Sequence, residues 1–352
     1  MMNRIAFPEF GLEFNIDPTA FTVFGIEIQW YGIILSLGIV GAFLLFYYLA
    51  TKKEQIILDT VYNVTLLVVP IAIIGARFVY VATKWEDYKG KGFLNMINIR
   101  AGGIAIYGAI LFGLATVLIY NKIKKTSSLS MLDALAPAVM LGQTIGRWGN
   151  FVNAEAYGWS EGIDSLPWRM ELDFAKIDGV YINNLYPHTA NVHPTFLYES
   201  LWNFLGLAII VFFLYRKKKF DGEIFFAYMG WYGLGRAFIE TLRADSLYLF
   251  GSLKFSVFVG IVCVIASVIG EIVLAIRART EMTEMAEYRS EFATVKMALA
   301  KEDDALAEQS FENEEENEAE LEELGDADEI TLAEQDSLDG DINEITTEGE
   351  NQ

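Results

Sequence analysis

With a single cysteine, Cys263, the 352-residue chain has no intrachain disulfide and no cysteine-based metal site. Its two histidines, His188 and His193, leave little for a zinc centre, so neither a metal nor a cofactor is expected. A basic surplus is missing as well. Lys and Arg number 26 against 47 Asp and Glu, a formal charge of −21, which argues against a nucleic-acid partner because phosphates need cations to neutralise them. That imbalance is local. Between Glu302 and Gln352 there are 22 acidic residues and no basic ones, which leaves residues 1–301 at +1. The body is therefore nearly neutral and apolar, in a chain that is 53% hydrophobic with a mean hydropathy of +0.31. The opening MMNRIAFPEFGLEF lacks the basic start of a secretory signal, and none is expected.

Long apolar runs are abundant. Crossing about 30 Å of hydrocarbon takes roughly 17–25 helical residues. Seven runs qualify, at about 22–50, 57–83, 104–120, 134–153, 196–215, 223–242 and 255–276. They are continuously apolar rather than alternating, which favours helices over a barrel. The expected fold is an all-α polytopic membrane protein with seven transmembrane helices. The connections 51–58, 121–133, 216–222 and 277–280 hold 11 Lys and Arg in 32 residues, and those on the opposite side hold 9 in 93. The excess of cations on one side puts the N-terminus outside and the C-terminus in the cytoplasm. Residues 1–280 are expected to form the transmembrane domain, with its largest outer loop near 154–193. Residues 281–352 should be an acidic, mostly disordered cytoplasmic tail that begins with a mixed-charge helical stretch up to about 301.

A charge inside a span costs at least a few kcal/mol, so each one asks for a reason. Arg77, Arg147 and Arg236 lie near the ends of the second, fourth and sixth spans, each just after a glycine-containing step (Gly75-Ala76, Gly146, Gly235). Under the orientation above all three sit in the outer half of the bilayer. Tyr31, Tyr107, Tyr198 and Glu199 fall at a similar level, and Asn150, Asn153 and Glu155 follow Arg147. Together they suggest one cationic pocket open to the outer leaflet. Arg77 fits equally well as a structural partner of Glu199 or Glu240. Single tyrosines at this depth are commonly interfacial, and an arginine near a span end can simply reach for headgroups. His193, in VHPTFLYES, reads as a structural loop residue, and mid-span Cys263 as an inert packing residue.

The segment GQTIGRWGNFVNAEAYG (142–158) resembles the signature of the prolipoprotein diacylglyceryl transferases, bacterial inner-membrane enzymes. WYG (30–32), GARFVYV (75–81), GGIAIYGAILFG (102–113), HPTFLYE (193–199) and YGLGRAFIETLRADS (232–246) extend the likeness in the same order, over about 20–278. The resemblance implies a multi-pass enzyme of the bacterial cytoplasmic membrane. It would transfer the diacylglyceryl group of phosphatidylglycerol to the lipobox cysteine of prolipoproteins and release glycerol phosphate. It also implies essential roles for Arg147, Asn150, Glu155, Gly158 and Arg236, with Tyr31, Tyr232, Glu240 and Arg243 following in step. Where many members carry a histidine, this chain has Tyr107. A phenol of pKa about 10 is a poor base at neutral pH, so either the base lies elsewhere or none is needed.

On this reading Arg147, Arg236, Tyr107 and Tyr31 serve the chemistry. Arg147, Asn150, Asn153, Glu155, Gly158, Tyr232 and Arg77 bind the lipid, and Glu240, Arg243, Glu199 and His193 hold or gate the site. The reacting thiol arrives with the protein substrate, which explains how a chain with one buried cysteine can do thiol chemistry. An anion or lipid transporter, or a lipid-binding protein without group transfer, is the alternative from another class; for a transporter, the charges lie toward one face and no internal repeat supports it.

Overall fold

A computed structural model describes residues 2–99, 102–173, 176–177, 180–181, 190–244, 248–250 and 253–346. His188, Arg100 and the tail residues 347–352 lie outside the described residues. The chain divides into two compact units, Met1–Ala278 and Arg279–Gln352.

The first unit is mostly helical. Helices α1 (Trp30–Lys52) and α2 (Leu58–Thr83) lead through two short helices, α3 (Trp85–Tyr88) and α4 (Phe93–Ile97), to α5 (Ile106–Lys124) and α6 (Ser128–Val152). The next crossing runs through α7 (Thr195–Ile209), a π-helical stretch (Ile210–Leu214) and α8 (Tyr215–Lys217); α9 (Glu223–Leu242) and α10 (Phe255–Thr346) follow. Among the described residues six helical stretches are long and apolar enough to span a membrane: α1, α2, α5, α6, α7–α8 and the first part of α10. α9 has the length, but Glu223, Arg236 and Glu240 and its tyrosines and glycines keep it below that threshold. Small residues let the helices approach. A Cβ on Gly108 of α5 would sit 2.5 Å from the Gly75 carbonyl of α2, and one on Gly233 of α9 would sit 2.6 Å from the Gly260 carbonyl of α10.

The fold is not purely helical, which corrects the all-α expectation. β1 (Asn3–Phe7) and β2 (Leu12–Ile16) form a hairpin; β3 (Thr19–Val23) pairs with β4 (Ile26–Gln29) just before α1. The loop after α6 supplies β5 (Met170–Leu172), the pair β6 (Lys176–Ile177) and β7 (Val180–Tyr181), and β8 (Ala190–Val192). β2, β1, β5 and β8 make one antiparallel sheet, with Ile5 opposite Leu172 and Met170 opposite Val192. Ile5, Met170, Leu172, Val192 and Phe196 bury a small core of their own. Arg4 binds Glu171 at 2.8 Å and Glu13 at 3.0 Å, and Asn3 donates to the Val152 carbonyl at the end of α6. The first residues are thus fastened to the chain that follows the signature segment.

The main helical core is built by Phe46, Leu49, Val61, Val64, Met131, Met140 and Ile224. Beside it Lys218 contacts Glu54 (2.5 Å), Asp133 (2.8 Å) and Asp221 (3.3 Å). Asp133 is fully buried, and it also accepts from the backbone N–H groups of Gly222 and Phe225. Burial by itself lowers the Lys218 pKa, but the bonds to Asp133 and Glu54 outweigh it and hold the ammonium above its ordinary value. The carboxylates could frame a cation, and the ammonium already takes that place.

In the second unit α10 continues to Thr346, where composition predicts a mostly disordered tail. Alanine, leucine, methionine, glutamate and glutamine, which recur here, are strong helix formers, which gives this backbone a local reason to coil. Replacing Lys218 by Met should leave three carboxylates without their shared cation. A loss of about 3–5 kcal/mol is expected, read as a lower melting temperature of the detergent-solubilised chain.

Candidate functional site

Tyr232, Arg236, Glu240 and Arg243 recur every three or four residues, so α9 and the residue after it present them along one side. Glu199 of α7 and Arg147 of α6 face that stripe. The Glu199 carboxylate is the hub: it lies 2.6 Å from Arg147 Nη2 and 3.4 Å from both Arg236 Nη1 and Arg243 Nη1. Arg236 Nη2 also contacts Glu240 at 2.8 Å, and Arg243 Nε lies 3.8 Å from it. Among the described residues three guanidiniums thus share two carboxylates that are almost wholly buried. Glu199, Tyr232 and Arg236 line a small cleft with Trp202, Asn203 and Ile239.

Packing fixes the arginines before any ligand arrives. Trp202 of α7 and Trp231 of α9 stack with ring centroids 4.5 Å apart. Each indole N–H donates to the other residue's backbone carbonyl, at 3.0 and 2.9 Å. Lys254 donates to the carbonyls of Glu240 (2.9 Å) and Arg243 (2.7 Å), capping the C-terminal end of α9 as a cation should.

The signature segment leaves α6 as a strained turn. Arg147 Nη1 donates to Asn150 Oδ1 at 3.2 Å, and the Asn150 and Asn153 amides donate to Glu155 Oε1 at 3.0 and 3.4 Å. Ala154 and Ala156 have φ of 50° and 57°, in the left-handed region that disfavours a Cβ by about 1–2 kcal/mol per residue. Thr195 holds this turn by donating to the Ala156 carbonyl. Gly158 pairs with His193 on one side and Arg243 on the other, and a Cβ there would meet the Leu242 carbonyl at 2.7 Å. Glycine is thus demanded by a close approach that ties the signature segment to Arg243. His193 is buried, 2.8 Å from Ser160 Oγ through Nε2 and 3.3 Å from the Tyr198 hydroxyl through Nδ1. Burial lowers its pKa and favours the neutral ring, which suits a structural histidine.

Tyr31, in the first turn of α1, lies against the backbone of Gly149, so that a Cβ there would meet its ring at 2.7 Å. Tyr107 opens α5, with its hydroxyl 3.1 Å from Ser256 Oγ, and Arg236 Nη2 donates to that same Ser256 oxygen at 3.3 Å. The sequence reading missed Ser256 and Lys254. Their only signal was a polar residue at the head of the last apolar run. Trp202 was hidden too, because an aromatic residue in a span is unremarkable.

Arg77 does not join the cluster, and neither expected role fits its contacts. It pairs with neither Glu199 nor Glu240. Its Nε donates to Met96 O, Nη1 to Gly102 O and Gly103 O, and Nη2 to Asn95 O and the Tyr88 hydroxyl. All five N–H donors are used on the segment after α2, with the Tyr80 and Tyr88 rings within 5.6 and 5.2 Å, so none remains for a phosphate. Four neutral carbonyl dipoles and a phenol solvate this charge in place of a carboxylate.

Residues 18–273 match the sequence model of the family described as prolipoprotein diacylglyceryl transferase. The chain is 43% identical over 257 residues to the phosphatidylglycerol–prolipoprotein diacylglyceryl transferase of Finegoldia magna, across 73% of this chain and 95% of that protein. It is 42% identical over 256 residues to the protein of that name from Clostridium botulinum strain Langeland, across 72% and 95%. For the Clostridium kluyveri relative the figures are 40% over 253 residues, 72% and 94%. The residues after 273 lie outside the family match.

Replacing Arg77 by Ala should raise hydrogen exchange of the amides at 95–99 by about tenfold or more while leaving 147–158 protected. Loss of protection at both places would show that Arg77 supports the arginine cluster as well.

Proposed function

Because the chain belongs to the prolipoprotein diacylglyceryl transferase family, we propose that it moves the diacylglyceryl group of phosphatidylglycerol to the lipobox cysteine of prolipoproteins at the cluster centred on Glu199. One observation carries this assignment. The arginine of the signature, Arg147, and those of the α9 segment, Arg236 and Arg243, meet on a single buried carboxylate.

The chemistry requires such cations. Sulfur attacks the glycerol carbon that carries the phosphate ester, so the S–C bond forms as the C–O bond breaks. Glycerol phosphate leaves with the electron pair of that bond, and the thiol proton passes to the leaving phosphate or to water. The lipid brings one negative charge beside these guanidiniums, and a second develops in the transition state. At 4 Å and an effective dielectric near 20, each unit charge is worth about 4 kcal/mol, roughly three decades in rate. Guanidinium groups stay ionised and grip phosphate oxygens bidentately, so Arg147 and Arg236 are assigned to the departing phosphate. Asn150, held by Arg147 and Glu155, orients the headgroup, while Asn153 and Gly158 keep that turn in place. Tyr31 and Tyr232 border the lipid. Glu199, Glu240 and Arg243 set the arginines, and His193 ties the loop to α7. Phosphatidylglycerol and lipobox prolipoproteins are the substrates, and no cofactor takes part.

Tyr107 acts as a donor rather than a base. Arg236 can only donate, so Ser256 Oγ accepts from it, and we assign the Ser256 hydrogen to the Tyr107 oxygen, one of the two directions this contact allows. The phenolic hydrogen is then free to donate to substrate oxygen, and the hydroxyl that replaces the family histidine polarises the lipid. The thiol is ionised to a few per cent at neutral pH, and the cationic site raises that share.

In the bacterial cytoplasmic membrane α9 serves as a seventh crossing. At 1.5 Å per residue its 20 residues reach about 30 Å, and its inward charges are paired. The N-terminus and the sheet face outward, and α10 emerges on the cytoplasmic side, in line with the Lys and Arg excess of the connections there.

The test uses purified chain, phosphatidylglycerol labelled in its diacylglyceryl glycerol, and a lipobox peptide. Label should pass to the peptide. Arg147→Ala and Arg236→Ala should abolish transfer while the protein still inserts, and lysine at either position should restore it only in part. Wild-type turnover in either alanine variant would remove the proposed role. Tyr107→Phe and Ser256→Ala should each keep partial activity; complete loss in Tyr107→Phe would mean that the phenol carries the proton.

A further inference from the structure

The beginning of the second unit carries an apolar stripe that is exposed among the described residues. Met285, Tyr288, Phe292, Val295 and Leu299 are all exposed, at spacings of three, four, three and four residues. That is the a/d pattern of a coiled coil, with Met285, Phe292 and Leu299 at a and Tyr288 and Val295 at d. Glu281 precedes the stripe at a d position and Glu302 follows it at another, so it spans two heptads between charged ends.

We propose that residues 281–301 form a parallel two-stranded coiled coil with the same segment of a second copy of this chain. The flanking charges select this occupant. In the register above Glu284 and Glu291 are g residues, and Arg289 and Lys296 are e residues. A parallel pair places each g residue beside the e residue five positions further along its partner. This gives Glu284 with the partner's Arg289 and Glu291 with the partner's Lys296, twice each by symmetry. An antiparallel pair would set g against g and e against e, so every contact would be repulsive. Charge thus specifies both like partner and direction. An anionic lipid surface is the poorer match. Within 281–301, Arg289, Lys296 and Lys301 stand against Glu281, Glu284, Glu287 and Glu291, a net charge of −1, so the segment has no positive charge to offer anionic headgroups.

Two heptads are short for association in dilute solution. Confinement of both copies to one bilayer raises their effective concentration. The 22 acidic residues that follow repel across the pair, so the contact is weak and reversible. The segment lies beyond residue 273, where the family match ends, so the pairing is a property of this chain's extension.

Disulfide cross-linking of the full-length chain in membranes tests the proposal, with Cys263→Ala to remove the native thiol. Val295→Cys sits on the seam, and Ser290→Cys, at an f position, points away from it. Oxidation should give roughly fivefold more cross-linked dimer at 295 than at 290. In the Val295→Cys background, Glu284→Lys with Glu291→Lys should abolish the cross-link. So should Arg289→Glu with Lys296→Glu in separate molecules, while co-expression of the two should restore it as mixed pairs. Equal yields at 290 and 295, or no recovery on mixing, would overturn the proposal; the first would also fit a helix lying on lipid or bound to another protein.

Discussion

The structure depends most on the buried carboxylate of Glu199. A guanidinium placed among apolar helices needs a counter-charge or a full set of acceptors, because losing hydration costs several kcal/mol per ion. One carboxylate serves Arg147, Arg236 and Arg243 together, and so binds α6, α7 and the end of α9 to a single point. The stacked Trp202 and Trp231, the glycine at 158 and the cap from Lys254 keep that point from spreading. With too little negative charge the arginines would repel.

The chain solves the burial of cations in three ways, and the differences separate structural charges from those available for chemistry. Arg77 is surrounded by carbonyl oxygens and has no donor left. Lys218 lies among three carboxylates that outnumber it, and it locks the ends of several helices. At Glu199 three arginines gather on one carboxylate, with Glu240 beside Arg236 and Arg243 and Asn150 beside Arg147. Position in the sequence cannot rank these sites, since all three involve a basic residue at or near the end of an apolar run. Ranking them needs the partner list.

Much of the helical frame was readable because membrane-length apolar runs leave few alternatives to a helix. Spans predicted at 57–83 and 196–215 coincide within two residues with Leu58–Thr83 and Thr195–Lys217. The first helix begins at Trp30 rather than near 22, because residues 19–29 make a hairpin whose aromatic and β-branched residues read as apolar. The sheet was invisible for a different reason. β5 and β8 are only three residues long, and β5 pairs with β1 across more than 160 positions, so no local period announces them. At the site, Arg147 and Arg236 stood out as charges in apolar runs, whereas their common partner could not be inferred from spacing. Arg77 misled because the glycines that feed it carbonyl oxygens, Gly102 and Gly103, have no polar side chain to signal the contact.

The departure at Tyr107 becomes intelligible once its neighbours are considered. A hydroxyl replacing a histidine would be a poor substitute if the position had to remove a proton. Here, though, the hydroxyl is linked to a guanidinium through Ser256, and with the Ser256 hydrogen turned toward it, it stands at the end of a chain of donors. A cation at the head of such a chain makes every following hydroxyl a better donor and a worse acceptor of protons. The position is then suited to stabilising negative charge on oxygen, a task a neutral or protonated imidazole can also perform through its N–H. Exchange between the two residue types is therefore compatible with one mechanism, provided that the cationic surroundings rather than a dedicated base favour the attacking thiolate. On that reasoning the identity of the residue at 107 matters less than its continued link, through Ser256, to Arg236.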